Sequence, residues 1–232
     1  MKKLVLFDID GTILWTDGAG RRAIRQALIA ESGTAGPIDQ GYRLDGKTDP
    51  QIVRELLTAA GHAEAASEEH IFRVCRRYVE FLADELAVSR DRTRIFPGIE
   101  PLLAELERRG DAVIGLLTGN LVEGAALKLD AAGLDPARFR VGAYGSDAAE
   151  RAALPLIAAR RAELLMGRAP GGDEVVIIGD TPADMTCGRS IGARAIGVAT
   201  GYYSCADLRA AGAFAAFENL AELSTVLDAI FA

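Results

Sequence analysis

Three short apolar runs, each ended by a polar residue or a glycine, constrain the fold of this chain more than any other feature. The runs are residues 4–7 (LVLF) before Asp8, 113–117 (VIGLL) before Thr118, and 175–178 (VVII) before Gly179 and Asp180. Continuous runs of this length, rich in branched side chains, predict strands buried on both faces, as in a parallel sheet. The other periodic segments are helical patterns at 100–109 and 151–165, a strand at 195–198 and a closing helix at 221–230. This alternation predicts an α/β fold with an open parallel sheet.

The stretch from residue 15 to residue 96 has a different pattern. Its apolar residues recur at helical spacing, as in residues 52–57 (IVRELL), and we find no convincing strand in it. An all-helical block after the first strand indicates a domain inserted into the α/β domain, and the Pro-Gly pair at 97–98 marks the return. The predicted division is an α/β core of residues 1–14 and 97–232 and an inserted helical domain of residues 15–96.

Composition narrows the classes of partner. The 232 residues carry a formal net charge of -7. Such a surface repels a phosphate backbone, so we expect no nucleic-acid partner. The apolar run before Asp8 is too short for a signal peptide or a membrane span, so we expect no membrane association. Three scattered cysteines suit reduced thiols, and we therefore expect a cytoplasmic protein. As a separate expectation, the protein is a monomer or a homodimer.

The polar residues after the predicted strands should lie close together. Parallel strands share one carboxyl edge, where ligands bind in open α/β sheets. The side chains expected at that edge are Asp8, Asp10, Thr118 and Asp180. Any one of them alone is more simply a cap for the next helix. Four in the same context favour a functional site.

Asp8 and Asp10, two residues apart, indicate a metal-dependent reaction. Neighbouring carboxylates are unfavourable unless a cation neutralises them. Mg²⁺ prefers carboxylate, water and phosphate oxygens, and Asp180 is a further candidate ligand. Asp8 is then a candidate nucleophile toward phosphorus. Asp10 is a candidate general acid for the leaving group and general base for the hydrolytic water.

Three segments resemble motifs of the haloacid dehalogenase-like hydrolase superfamily. They are residues 7–12 (FDIDGT), which resemble the first motif, residues 116–120 (LLTGN), which resemble the second, and residues 178–184 (IGDTPAD), which resemble the fourth, and they follow the family's order. The resemblance covers almost the whole chain and implies a Rossmann-like core. The inserted helical domain is similar to the α-helical cap of the phosphoglycolate-phosphatase-like branch. Opening and closing of such a cap admits substrate and excludes water.

The resemblance also implies roles for individual residues. Asp8 would be the nucleophile, and Asp10 the general acid and base whose main-chain carbonyl also binds Mg²⁺. The Thr118 hydroxyl and the Gly119 amide would bind the phosphate, with Asn120 beside them in the substrate site.

The fourth motif would complete the metal site. Asp180 would be a direct Mg²⁺ ligand, and Asp184 would hold metal-bound waters. The implied activity is a magnesium-dependent phosphatase that hydrolyses a small-molecule phosphate monoester through an aspartyl-phosphate.

The third motif departs from the family pattern. It is a basic residue, often a Lys before a Pro, near the start of the helix before the fourth motif, and no Lys-Pro pair occurs here. Arg151 lies at the expected place, although it could also be a solvated helix charge. Lys128, on the helix after the second motif, is the competitor. It lies in mid-helix, roughly two turns beyond the Thr118 loop, and we expect it to point away.

Residues 43–49 (RLDGKTD) resemble the substrate-facing loop of the cap in related phosphatases. That resemblance would aim Lys47 at an anionic or hydroxylated group of the substrate. Thr48 or Asp49 is also a natural N-cap for a helix that begins near Pro50, and both interpretations can hold together.

Other functions fit the sequence less well. A phosphosugar mutase of the same superfamily would carry the same signature, and only its product distinguishes it. A haloacid dehalogenase works without magnesium and does not retain the second aspartate, so Asp10, Asp180 and Asp184 speak against it. A binding protein on an inactive enzyme scaffold would have lost a catalytic position, and none is missing.

Overall fold

A computed structural model describes residues 2–232 as a six-stranded parallel sheet with helices on both faces and a separate helical segment. The strands are β1 (Lys3–Phe7), β2 (Leu14–Trp15), β3 (Arg94–Ile95), β4 (Ala112–Leu117), β5 (Val141–Ala143), β6 (Val175–Gly179), β7 (Arg194–Val198) and β8 (Ala215–Phe217). The α-helices are α1 (Ala19–Ser32), α2 (Asp49–Ala59), α3 (Glu68–Val88), α4 (Ile99–Arg109), α5 (Val122–Ala131), α6 (Leu154–Met166), α7 (Pro182–Cys187), α8 (Cys205–Ala211) and α9 (Leu223–Phe231). The predicted α/β fold class with an open parallel sheet is confirmed.

The central position of β1 determines where the site forms. The sheet has the order β5-β4-β1-β6-β7-β8, so β1 pairs with β4 on one side and β6 on the other. At its carboxyl end Phe7 is in register with Leu116 and with Ile178. The residues that follow these three strands therefore leave the sheet at the same level.

Both faces of β1 are covered, which explains its continuous apolar sequence. Successive side chains of a strand point to opposite faces. Val5 and Phe7 pack in one hydrophobic cluster with α4 and α9, and Leu4 and Leu6 pack in another with α6. A polar residue within this strand would be buried on one face or the other.

The helical segment builds its own hydrophobic cluster. Helices α1, α2 and α3 contribute buried apolar residues such as Leu28, Leu56 and Leu82. The short strands β2 and β3 pair antiparallel on either side of this segment. The expectation of no strand between residues 15 and 96 is wrong at these two ends, because a two-residue ribbon has no periodicity to detect. The division into a core (1–14 and 97–232) and a cap (15–96) stays a prediction.

The structure differs from the sequence expectations in two further details. The helix predicted from residue 151 begins as α6 at Leu154, preceded by a 3₁₀ turn at Arg151–Ala153. The edge strands β5 and β8 were not expected, and each is three residues long. Within residues 2–232, no helix is long and apolar enough to cross a membrane.

Gly98 lies where the chain returns from the helical segment to the core, and its surroundings give a first prediction. Its φ is +90°, and a Cβ there would lie 2.0 Å from the Leu220 carbonyl carbon. Gly110, with φ +69° and open space around it, is a matched control. Gly110→Ala should cost about 1–2 kcal/mol of unfolding free energy, the penalty of the left-handed conformation. Gly98→Ala should cost about 2–5 kcal/mol, because overpacking adds to that penalty.

Urea denaturation of the two variants and the wild type measures this difference. Equal losses of unfolding free energy would show that the backbone at residue 220 moves away without cost.

Candidate active site

The carboxyl edge of the sheet brings the predicted polar residues together. Asp8, Thr118 and Asp180 follow the three adjacent strands β1, β4 and β6, and all three side chains are buried. The Asp8 amide donates to the Ile178 carbonyl at 2.9 Å, and the Thr118 amide donates to the Ala143 carbonyl at 3.0 Å. These bonds extend the strand ladders by one residue, so the sheet itself fixes where both side chains begin.

Three buried carboxylates form the centre of the site. Asp8, Asp180 and Asp184 each offer an oxygen, and these atoms lie within 4.8 Å of one another. Burial raises the pKa of Asp8 to about 6, although the nearby Arg151 guanidinium opposes the rise. Burial, followed by the charges of Asp184 and Asp8, raises the pKa of Asp180 well above its usual range. The ionised cluster therefore requires positive charge beside it.

Close backbone approach encloses Asp180. Gly11 has φ +81°, and a Cβ there would lie 2.4 Å from Asp180 Oδ2; a Cβ at Gly201 would lie 1.9 Å from the same oxygen. The Thr12 hydroxyl donates to Asp180 Oδ1 at 3.1 Å. Larger residues at either glycine would occupy the position of the carboxylate.

Arg151 supplies positive charge directly to the cluster. It lies in the 3₁₀ turn before α6, and its Nη2 is 3.2 Å from Asp8 Oδ1. The same nitrogen donates to Asp184 Oδ1. The Thr181 amide and hydroxyl donate to the other oxygen of Asp184, at 3.1 and 2.6 Å. Arg151 is 7% exposed, so it is a buried ion-pair partner and not a solvated helix charge.

The carboxylate cluster has the donor set of a hard cation. All three groups are carboxylates, and oxygen ligands of this kind suit Mg²⁺ or Ca²⁺ more than the softer transition metals. Asp184 already accepts hydrogen bonds on both oxygens, whereas Asp180 accepts one side-chain hydrogen bond on Oδ1. Asp180 thus retains more free lone pairs for a cation than Asp184.

Asp10 faces a different set of partners. Its Oδ2 accepts from Lys128 Nζ at 2.6 Å and from Asn120 Nδ2 at 2.8 Å. Asn120 Nδ2 also donates to the Thr118 hydroxyl at 2.8 Å. The expectation that Lys128 points away from the site is wrong, because Lys128 lies on the buried face of α5 with Ala125 and Leu129, and its side chain reaches Asp10.

The loop before α2 lies directly on the Thr118–Asn120 turn. The Asp49 amide donates to the Gly119 carbonyl at 2.8 Å. Thr48 is the helix N-cap, accepting from the Gln51 amide at 3.2 Å. The Asp49 carboxylate instead accepts from the Leu121 amide at 2.8 Å, and burial raises its pKa to about 6. Sequence reasoning identified Asp49 only as a possible cap, since its partner is 72 residues away.

A cavity of about 310 Å³ separates this loop from the carboxylate cluster. Its wall includes the aliphatic or aromatic side chains of Trp15, Ile24, Leu44, Ile52, Tyr78 and Tyr202. Lys47 also lines this cavity, but the Lys47 Nζ is 2.6 Å from Glu55 Oε2 and 3.0 Å from the Tyr42 hydroxyl.

Two residues of the site, Thr12 and Tyr78, are not identified from the sequence, although Thr12 belongs to the FDIDGT segment.

An α/β domain with buried carboxylates at the carboxyl edge of its sheet and an inserted helical segment is the arrangement expected from the resemblance to a hydrolase superfamily. The sequence model of the haloacid dehalogenase-like hydrolase family matches residues 2–192. The chain belongs to this family.

Individual relatives agree with that assignment. The chain is 29% identical over 229 residues to a phosphoglycolate phosphatase of Rhodospirillum rubrum, covering 96% of this chain and 90% of the relative. Its fold is similar to that of a hydrolase from Pseudomonas syringae (TM-score 0.75, 24% identity, 98% of both chains). It is also similar to CbbY from Rhodobacter sphaeroides in complex with xylulose-(1,5)-bisphosphate (TM-score 0.67, 25% identity, 96% of both chains).

The raised pKa of Asp180 gives a prediction about cation binding. Because the folded state disfavours its ionised form, the Asp180 carboxyl group destabilises the cation-free protein at pH 7. Asp180→Asn should therefore melt at or above the wild-type temperature in EDTA. Saturating Mg²⁺ should stabilise the wild type by about 1–3 kcal/mol and should stabilise this variant much less.

Differential scanning fluorimetry with MgCl₂ or EDTA measures both effects. Asp130→Asn, at an exposed position on α5, is the control and should keep the wild-type response. An undiminished Mg²⁺ response in Asp180→Asn would contradict a cation at this cluster.

Proposed function

We propose that this chain is a magnesium-dependent phosphatase that hydrolyses a small-molecule phosphate monoester through an aspartyl-phosphate on Asp8. The observation that carries the proposal is the environment of Asp8. Its buried carboxylate belongs to a cluster of carboxylates suited to a hard cation, and its Oδ1 lies 3.2 Å from Nη2 of Arg151. Family membership and the similarity to a phosphoglycolate phosphatase support the same activity.

Asp8 and Asp10 divide the chemistry between them. An Asp8 carboxylate oxygen forms a bond to phosphorus as the bond from phosphorus to the ester oxygen breaks. Asp10 donates a proton to the departing oxygen. In the second step Asp10 removes a proton from water, which attacks phosphorus, releases phosphate and regenerates the Asp8 carboxylate.

The residues around Asp8 bind the phosphoryl group. Thr118 contributes its hydroxyl, Gly119 its amide, and Arg151 a charge that matches the developing negative charge on the phosphoryl oxygens. Asn120 holds the Thr118 hydroxyl in place and belongs to the same substrate site.

The cation would be held by Asp8, Asp180 and the Asp10 main-chain carbonyl, with Asp184 holding bound waters. Bound Mg²⁺ supplies charge neutralisation for the carboxylates and the phosphate. Asp180 is the better direct ligand of the two fourth-motif acids, because it has fewer hydrogen bonds to protein donors.

Residues 15–96 would act as a cap over the core (1–14 and 97–232). The hydrogen bond from the Asp49 amide to the Gly119 carbonyl supports this role, because a cap loop held against a phosphate-binding turn would exclude water during the reaction. Lys47 would contact a polar group of the substrate after leaving Glu55. Three free cysteines, Cys75, Cys187 and Cys205, support a cytoplasmic enzyme, which we propose to be a monomer or homodimer.

Asp8→Asn tests the nucleophile. The amide is nearly isosteric with the carboxylate but cannot form the acyl phosphate, so turnover should fall below about a hundredth of wild type with the fold intact. Released phosphate is measured with p-nitrophenyl phosphate and a panel of phosphate monoesters, in MgCl₂ and in EDTA. Wild-type activity should require the metal. Isomerised sugar phosphate in place of free phosphate would favour the mutase, and metal-independent hydrolysis would contradict the proposal.

Arg151→Ala tests the third-motif cation. Removing the guanidinium leaves Asp8 and Asp184 without their partner, so turnover and affinity for inorganic phosphate should both fall by more than about tenfold. Arg151→Lys should recover part of the loss, because a point charge still attracts phosphate. Steady-state kinetics with phosphate as competitive inhibitor measures both quantities. Unchanged inhibition by phosphate in Arg151→Ala would remove Arg151 from the phosphate site.

A further inference from the structure

Lys128 is a buried lysine whose partners lie inside the proposed active site. Its Nζ is 2.6 Å from Asp10 Oδ2 and 2.6 Å from Asn120 Oδ1, and the residue is 3% exposed. An ammonium group is rarely buried to this degree unless it is paired, because desolvation is unfavourable. The side chain lines the cavity where substrate would bind.

The contacts of Lys128 differ from those of Arg151. Arg151 pairs with Asp8 and Asp184, on the side of the nucleophile. Lys128 pairs with Asp10, on the side of the general acid and base. The two cations therefore serve different carboxylates, and Lys128 is not a second occupant of the third-motif position.

The two donors to Asp10 bind the same oxygen. Lys128 Nζ and Asn120 Nδ2 both donate to Oδ2, and no side chain in residues 2–232 donates to Oδ1. The terminal torsion of an aspartate is broad, so a carboxyl group without such contacts samples many orientations. The Asp10 side chain is 44% exposed and lines the cavity, which leaves its second oxygen accessible.

We propose that Lys128 is a positioning residue for the reaction: it holds Oδ2 of Asp10 so that Oδ1 is presented to the ester oxygen of the substrate. This role rests on the proposed phosphatase function. Asp10 transfers the proton to the departing oxygen, and Lys128 keeps its own protons throughout. Asn120 joins this arrangement to the Thr118 hydroxyl, so the proton donor and the phosphate-binding turn share one hydrogen-bond network.

The test uses two esters of similar size that differ in their need for a proton donor. The p-nitrophenolate ion leaves readily without protonation, whereas the alkoxide from benzyl phosphate does not. The ratio kcat/KM reports the steps up to transfer of the phosphoryl group to Asp8, so it isolates the step in which Asp10 acts as acid. Lys128→Met should lower kcat/KM for benzyl phosphate by about 10²-fold, within the range for general acid catalysis. The loss for p-nitrophenyl phosphate should be at least tenfold smaller, with little change in inhibition by phosphate.

A double-mutant comparison identifies the residue through which Lys128 acts. Asp10→Asn should show the same selective loss on benzyl phosphate. Adding Lys128→Met to Asp10→Asn should cause little further loss, because residues that act as a unit are not additive. Lys128→Arg should recover part of the benzyl phosphate activity.

Lys3→Met is the matched control for removal of a buried lysine. Lys3 is 4% exposed and donates to the Asp173 and Ala232 carbonyls at the far end of β1. This variant should lose stability without changing the ratio between the two esters. If Lys128→Met does not fold, as judged by circular dichroism, Lys128→Gln replaces it in both experiments.

Equal losses on the two esters, or additive losses in the double variant, would overturn the positioning role while the wild type remains an active phosphatase. A wild type that hydrolyses neither ester in Mg²⁺ would instead overturn the proposed function on which the role rests.

Discussion

The structure depends on one electrostatic constraint: three carboxylates must share a buried space. Asp8, Asp180 and Asp184 offer oxygens within 4.8 Å of one another at the end of the sheet. Like charges that lie this close together and are buried are unfavourable without a cation. Arg151 provides one positive charge from the protein. The three carboxylates offer only oxygen donors, which suit a metal ion as the source of a second positive charge.

The sheet and the helical segment build this space from opposite sides. Parallel strands β1, β4 and β6 bring distant residues to one edge, and the loop before α2 covers them. Two hydrogen bonds join the loop to the Thr118–Asn120 turn: the Asp49 amide donates to the Gly119 carbonyl, and the Leu121 amide donates to the Asp49 carboxylate. A Cβ at Gly119 would lie 2.0 Å from the Lys47 carbonyl oxygen, so the approach requires a residue without a side chain. The geometry of the loop and that of the turn are therefore coupled.

The sequence predicts the parts of the molecule that depend on local pattern. A strand buried on both faces has a continuous apolar run, and a residue at its end lies at the sheet edge, which is why the positions of Asp8, Thr118 and Asp180 are predictable. The direction of the Lys128 side chain is not predictable in this way, because it depends on how α5 packs against its neighbours. The sequence does not predict the ion pair between Lys47 and Glu55 either. The edge strands β5 and β8 are not predicted because they are too short to show periodicity. The roles of the site residues stay predictions.

A phosphoryl group on Asp8 is the covalent intermediate of the proposed reaction, and it can be detected on the protein itself. The Asp10→Asn variant should still form the acyl phosphate from p-nitrophenyl phosphate, whose leaving group needs no proton donor, and should hydrolyse it slowly. It is mixed with this ester and Mg²⁺, quenched in acid and examined by intact-protein mass spectrometry. Borohydride reduction then converts an aspartyl-phosphate to homoserine at the modified position. We expect a mass gain of one phosphoryl group and homoserine at position 8 alone. Turnover of substrate with no phosphorylated protein, or with the label at another residue, would contradict the proposed reaction.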